Sequence, residues 1–246
     1  MATDSDYLYD LFRRVQSQGL ENTLQVYYSF YQAEVMTNED PEGRGRIKAN
    51  VVELSPAGGE PLDVWIPPFF MGAGKQRGFF SPPEKGDFVR VMFHHGDMSN
   101  PRAYLGGWYG TDEVPKEFGY TNKRPEKRGF VTRMGHGVVF SEENDNMFVR
   151  IFWHKPKEGD PALSDASVTA SRDEGDFSFI ELTKDGSVLI SNKDGSLINL
   201  DAVQKAVQVL SSHGHGVSIT EDGITLSTAN GEVLSLASED LTAILG

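Results

Sequence analysis

The 246-residue chain has no cysteine. That excludes a disulfide framework, thiolate catalysis and cysteine-ligated zinc. It also lacks any apolar run near the ~18–20 residues that span a bilayer. Its start, Met1-Ala-Thr-Asp-Ser-Asp6, has neither the basic opening nor the apolar stretch of a signal peptide. The expectation is a chain made in the cytosol and soluble there at first. Positive charge is scarce: 23 Lys and Arg stand against 36 Asp and Glu, a formal net charge of −13. A surface that negative repels phosphate backbones, which sets nucleic-acid binding aside. Aromatic residues stop at Phe179, and none follows from Ile180 to Gly246.

What fills the aromatic-free tail is short runs of Val, Ile and Leu between Asp-Gly and Asn-Gly turns. Examples are Gly186-Ser-Val-Leu-Ile-Ser191, Gly195-Ser-Leu-Ile-Asn-Leu200, Gly216-Val-Ser-Ile-Thr220 and Gly223-Ile-Thr-Leu-Ser227. The turn glycines supply the positive φ angles of tight reversals. Such strands fill only a narrow core, and an isolated hairpin is marginal in water. Three identical strands wound about one axis bury the inward residues of all three and remove most free edges. The inward positions on this reading are Val188, Ile190, Ile198, Leu200, Val217, Ile219, Ile224 and Leu226. A single-chain β-solenoid with its own core is the competing reading. Residues 200–210 fit helix spacing (Leu200, Val203, Val207, Leu210) and strand alternation alike. Their Val content and their neighbours favour strand.

The fold class expected is all-β. Residues 1–20 read as a short helix, with Asp4 or Ser5 as cap and Tyr7, Leu8, Leu11, Phe12 and Val15 near one face. That face either packs on the chain's own next domain or docks a partner. Residues 21–112 read as a small closed barrel of the OB type, with β-type runs at 24–30, 46–52, 62–66, 87–93 and 102–105. The run 87–93 reads as a strand buried on both sides. Turn signals lie at Asp40-Pro-Glu-Gly43, Pro82–Asp87 and Ser99-Asn-Pro101. Residues 113–135 read as a basic linker, and 136–246 as the needle.

Four segments together resemble the OB domain of contractile-tail spikes, in phage baseplates and type VI secretion. They are Asp40-Pro-Glu-Gly-Arg-Gly-Arg-Ile47, Gly78-Phe-Phe-Ser-Pro-Pro-Glu-Lys-Gly-Asp87, His95-Gly-Asp97 with Pro101, and Leu105-Gly-Gly-Trp-Tyr-Gly110. Gly135-His-Gly-Val-Val-Phe140 and the tail resemble the intertwined trimeric β-helix that follows in such proteins. The resemblance covers roughly residues 33–246. It implies a homotrimeric, non-enzymatic spike at the centre of a phage baseplate that pierces the host outer membrane when the sheath contracts. The linker is too short for the lysozyme domain of some large spikes. Only about twenty to thirty residues precede the barrel, so the hub is a separate protein, and the N-terminal helix is its expected contact. Leu241-Thr-Ala-Ile-Leu-Gly246 is apolar, which suits a separate tip protein. A type VI-like or extracellular injection particle shares the fold. An OB nucleic-acid binder is a weaker alternative, and a cell-wall hydrolase weaker still.

The sharpest chemical candidate is His213-Gly-His215. In a continuous strand, residues i and i+2 share a face, so both histidines would follow Val217 and Ile219 inward. Three chains would then offer six imidazoles, an octahedral cage suited to iron. Exposed turn histidines are the alternative, since Gly214 and Gly216 can break the parity. His94 and His95 would face opposite ways in a strand. His136, between glycines, reads as a turn or chain-contact residue, and His154 as a strand end. Glu142–Asn146 is an acidic turn without the glycine placement of an EF-hand loop. The chain has no phosphate loop, nucleophile elbow or His-Glu-x-x-His motif.

Overall fold

In the computed structural model the described residues are 4–52, 54, 62–111, 113–119, 125–172 and 177–237. The C-terminal apolar segment 241–246 lies outside them. The chain divides into two units, Met1–Gly110 and Thr111–Gly246.

The first unit opens on a helix, α1 (Asp4–Leu24), broken at Gly19, whose φ of 81° and ψ of 165° leave the helical region. The strand expected at 24–30 does not form. Helix runs to Leu24, Gln25 turns the chain with φ 53°, and strand β1 is Tyr31–Thr37 instead. Burial explains the choice. Tyr31, Ala33 and Val35 alternate into the core, whereas Leu24, Tyr28 and Phe30 remain exposed.

Strands β2 (Lys48–Val51), β3 (Phe88–His94) and β4 (Asp97–Leu105) join β1 in the order β2-β1-β3-β4, all antiparallel. Residues 62–69 tie the two outer strands together. Ile47 and Ile66 exchange backbone bonds of 3.0 and 2.8 Å; Phe69 N–H donates to Tyr104 C=O at 2.9 Å. Pro67 and Pro68 lack N–H donors, so this segment closes the barrel by bridges rather than a full ladder. The core holds Val35, Ile47, Val51, Ile66, Val89, Val91 and Tyr104. β3 is buried on one face only: Val89, Val91 and Phe93 point in, and Phe88 is exposed. The Ser99–Pro101 turn signal lies inside β4, where the ladder shifts register. The hairpin turns instead at His95-Gly96, both with positive φ (53° and 75°), as a mirror-image two-residue turn requires. His95 is therefore a turn residue, with its ring 4.1 Å from that of His94.

Asp40 organises the loop after β1. Its carboxylate accepts from the backbone N–H groups of Glu42, Arg44 and Arg46 at 3.0, 2.8 and 3.2 Å, and from the Arg46 guanidinium at 2.6 Å. The Arg46 side chain, then the backbone donors, hold the Asp40 carboxyl well below the usual carboxylate range. A depressed acid stabilises the fold above its unfolded pKa and loses that contribution as pH falls through the folded value. Asp40→Asn should therefore lower the barrel's melting temperature by several degrees at neutral pH. The gap from wild type should close in strong acid; calorimetry across pH checks both.

The second unit is a meander of ten strands among the described residues, each antiparallel to the next in chain order. They are β5 (Lys127–Val131), β6 (Gly137–Glu143), β7 (Asn146–His154), β8 (Phe177–Thr183) and β9 (Val188–Ser191). Then follow β10 (Leu197–Asp201), β11 (Ala206–Leu210), β12 (Gly216–Thr220), β13 (Gly223–Ser227) and β14 (Val233–Ala237). Residues 127–131, read as linker, are the first strand. Residues 206–210 are strand, as their Val content favoured.

One turn design recurs five times. In 132–136, 183–187, 192–196, 211–215 and 228–232, the first N–H bonds the fifth C=O and the fourth N–H bonds the first C=O. The fourth residue is glycine each time, with φ between 84° and 89°. This is a type I turn closed by a left-handed glycine and a bulge.

The long connection 155–172 packs back on the first of these turns. Arg133 donates to the carbonyls of Ala162 and Val168 at 2.7 and 3.2 Å. Asp160 accepts from Ala162 N and Ser171 N, both at 2.9 Å.

Candidate functional site

Directly paired residues in an antiparallel sheet lie on the same face, so the register sorts the second unit into two surfaces. One cross-strand row is Ile180, Ile190, Ile198, Val209, Val217, Leu226 and Leu234. Its neighbour two residues along is Leu182, Val188, Leu200, Val207, Ile219, Ile224 and Leu236. The face continues through Ile151 and Val149 to Val138 and Phe140. In these rows it is apolar from β7 to β14, and on β5 and β6 it carries Phe130, Val138 and Phe140 beside the Arg128–Glu142 ion pair.

The opposite face carries the row Arg150, Glu181, Leu189, Asn199, Gln208, Ser218, Thr225 and Ser235. Arg150 pairs with Glu181, and Asn199 donates to Gln208 at 3.4 Å. At the β6–β8 end this face is buried at Val139, Phe152 and His154.

Among the described residues the apolar face has no such cover. Ile151, Ile180, Leu182, Ile198, Leu200, Ile219 and Leu234 are 39–59% exposed. At roughly 60 Å² per residue the two rows alone leave about 800 Å² of apolar surface. Lone soluble proteins rarely leave a patch above a few hundred Å². All eight residues read as inward from sequence lie on this one face. Both of their proposed parities, 188/190 and 224/226, fall in the two rows.

The helix residues are placed less uniformly. Tyr7, Leu8 and Phe12 are 52–70% exposed, while Leu11 and Val15 are half-buried.

His213 and His215 lie in and beside one of the repeated turns, not in a continuous strand. Gly214, at φ 84°, reverses the chain between them and breaks the parity that would have aimed both inward. His213 occupies the turn position held elsewhere by Asp185, Asp194 and Asn230. His215 accepts a 3.3 Å bond at Nδ1 from Ala229 N–H. That bond places the neutral ring's proton on Nε2. Metal ligation through Nε2 would give it up. Among the described residues of one chain, no three metal-binding side chains converge.

The same position is held by His136 in the first turn, and its Nδ1 accepts from His154 N–H at 3.3 Å. Ser187 and Ser196 act alike, accepting from Ala202 N–H and Ser212 N–H at 2.9 and 3.0 Å. In four of the five turns the fifth residue is thus a staple, accepting from a backbone N–H of the next turn or strand end on the same edge. Sequence reasoning missed these staples. Their signal is a Thr, Asn or Ser three residues before the turn glycine with Ser or His one residue after it, as in four of the five turns; Glu232 stands there in the fifth.

Burial, then the nearby His154, pushes the His136 pKa below its usual 6.5. His136 stacks on Trp153 with ring planes 5° apart. A lowered folded pKa means the fold holds the neutral ring. This contribution is complete above about 6.5 and declines as pH falls below it. His136→Gln should flatten the slope of melting temperature against pH between 7.5 and 5; an unchanged slope would place the dependence elsewhere.

Among the described residues no helix is long and apolar enough to cross a membrane. No curated protein matches the chain. Residues 31–109 match the family model of the Type VI secretion system/phage-baseplate injector OB domain. The match covers the barrel, about a third of the chain, which is similar to that OB domain, and it supports an injection-system spike role.

Proposed function

We propose that this chain is the non-enzymatic central spike of a contractile phage tail, acting as a homotrimer that pierces the host outer membrane. The observation that carries the reading is the apolar face that runs from β7 to β14, in a chain whose first unit matches an injector OB domain. Three copies that turn this face to a common axis hide it together and leave the Arg150–Ser235 row in water. The mechanism is mechanical: the sheath supplies force, and the intertwined β-helix concentrates it on a small area. The absence of aromatic rings after Phe179 fits an axis too narrow for them.

The OB barrel serves as the mount. Helix α1, through Tyr7, Leu8, Leu11, Phe12 and Val15, docks a separate hub protein, and a tip protein caps the C-terminal end. The particle is the virion tail, assembled in the host cytoplasm. A type VI-like or extracellular injection particle is the second reading, since the matched OB domain is common to secretion systems and baseplates.

The test is mass in solution. Three copies weigh near three times 27.2 kDa, and a lone chain in dilute buffer sinks the reading. Metal analysis of the same sample tests iron at His213 and His215. About one metal per trimer, lost in His215→Ala, supports the six-imidazole cage; a metal-free trimer leaves both histidines as turn residues.

A further inference from the structure

The longest stretch without an acidic residue runs from Val64 to Pro83, in a chain of net charge −13. It contains the loop 69–80, where Phe69, Met71, Phe79 and Phe80 are 50–79% exposed. With Arg44 and Arg77, the rings of Phe70, Phe79 and Phe80 line a cavity of about 380 Å³. The loop is braced. Gly74 and Arg77 exchange backbone bonds of 2.9 and 3.3 Å. Gly78 has φ 127°, and a Cβ there would meet the Ala73 Cα at 2.7 Å. Phe80 packs edge-on against Phe70, and Phe70 against the core Tyr104, at centroid distances of 5.7 and 6.0 Å. A braced loop that holds large apolar side chains in water calls for a cover.

Its place on the barrel narrows the cover. The segment after α1 meets the β3–β4 turn, where Tyr27 N–H donates to Gly96 C=O at 2.8 Å. β1 runs antiparallel to β3, so the loop after β1 lies at the other end of the barrel. There Tyr104 OH donates to Gly45 C=O at 2.6 Å, and a Cβ on Gly45 would meet the Phe80 ring at 2.9 Å. This is also the end where β4 finishes at Leu105 and the chain leaves toward its second unit. A hub held by α1 engages the opposite end.

We propose that the Phe69–Phe80 loop clasps a second copy of this chain, resting on the trimeric reading above. Two observations choose this occupant. Lys75 and Arg77 give the loop a basic rim within the acid-free stretch, Arg44 beside it being paired with Glu42, and a second copy is strongly acidic. The chain leaves the barrel at this end, so joining the second units of several copies draws these ends, not the α1 ends, toward one another.

A cysteine-free chain makes the test clean, because Met71→Cys introduces its sole thiol. Maleimide labelling is measured on the full assembled chain beside Val203→Cys, an exposed turn control at 70% exposure. Labelling at 71 is expected about tenfold slower than at 203, as for a group reached only through local opening. Adding Ile198→Asp, which separates the copies, should raise the rate at 71 to the control. Equal rates in a chain that weighs as a trimer overturn the clasp while leaving the trimer intact, and assign the loop to another partner such as the hub. A chain that weighs as one copy overturns the trimer and the clasp with it.

Discussion

With three copies joined as proposed, Ile198→Asp should convert the assembly into separate chains. Ile198 sits mid-row on the apolar face, paired with Ile190 on one side and Val209 on the other. A carboxylate there has no partner in either row. Covering it with other copies strips its water and, on a three-fold axis, brings three like charges together. At about 3 kcal/mol per chain the proposed trimer would lose about 9 kcal/mol, more than a millionfold in its association constant. The control is one residue away. Asn199 points to the opposite face, where it bonds Gln208. Asn199→Asp should leave the mass unchanged. If both variants dissociate, charge alone is responsible; if neither does, the apolar face is not what joins the copies.

That contrast between adjacent residues was legible in the sequence. Alternating Val, Ile and Leu between glycine turns fix which side of each tail strand is apolar, and pairing register cannot change that without exposing the whole set. The barrel was harder to read. Leu24–Phe30 has the aromatic density of a strand, yet Tyr31–Thr37 was selected because small Ala33 fits between Tyr31 and Val35 in a closed core. Propensity has no view of that fit. Barrel closure by residues 62–69 was visible only as a strand-like run, because the prolines that end it reduce the ladder to bridges. The strand parity assumed for His213 and His215 does not hold, for a local reason. The parity argument assumed continuous strand, and Gly214 belongs to the same turn design as Gly186, Gly195 and Gly231. Reading the five turns as one repeat would have placed His213 at the tip and His215 at the staple.

Glycines in this sheet divide into two kinds, and the difference predicts a large effect at Gly223. Gly231 has φ 85° with nothing within 4 Å of an added Cβ. Gly231→Ala meets only the left-handed backbone penalty, about 1–2 kcal/mol. Gly223 has φ 137°, and a Cβ there would lie 2.0 Å from the Leu236 carbonyl oxygen. That carbonyl belongs to the facing strand, so relief requires β13 and β14 to part. Gly129 repeats the clash at the far end of the sheet, 1.9 Å from Val138 O. Gly223→Ala should cost about 3 kcal/mol or more and free the amides of 233–237 to exchange with solvent. Gly231→Ala should leave those amides protected and lower the melting temperature by only a few degrees. Equal losses in the two variants would mean that β14 does not hold its place against β13.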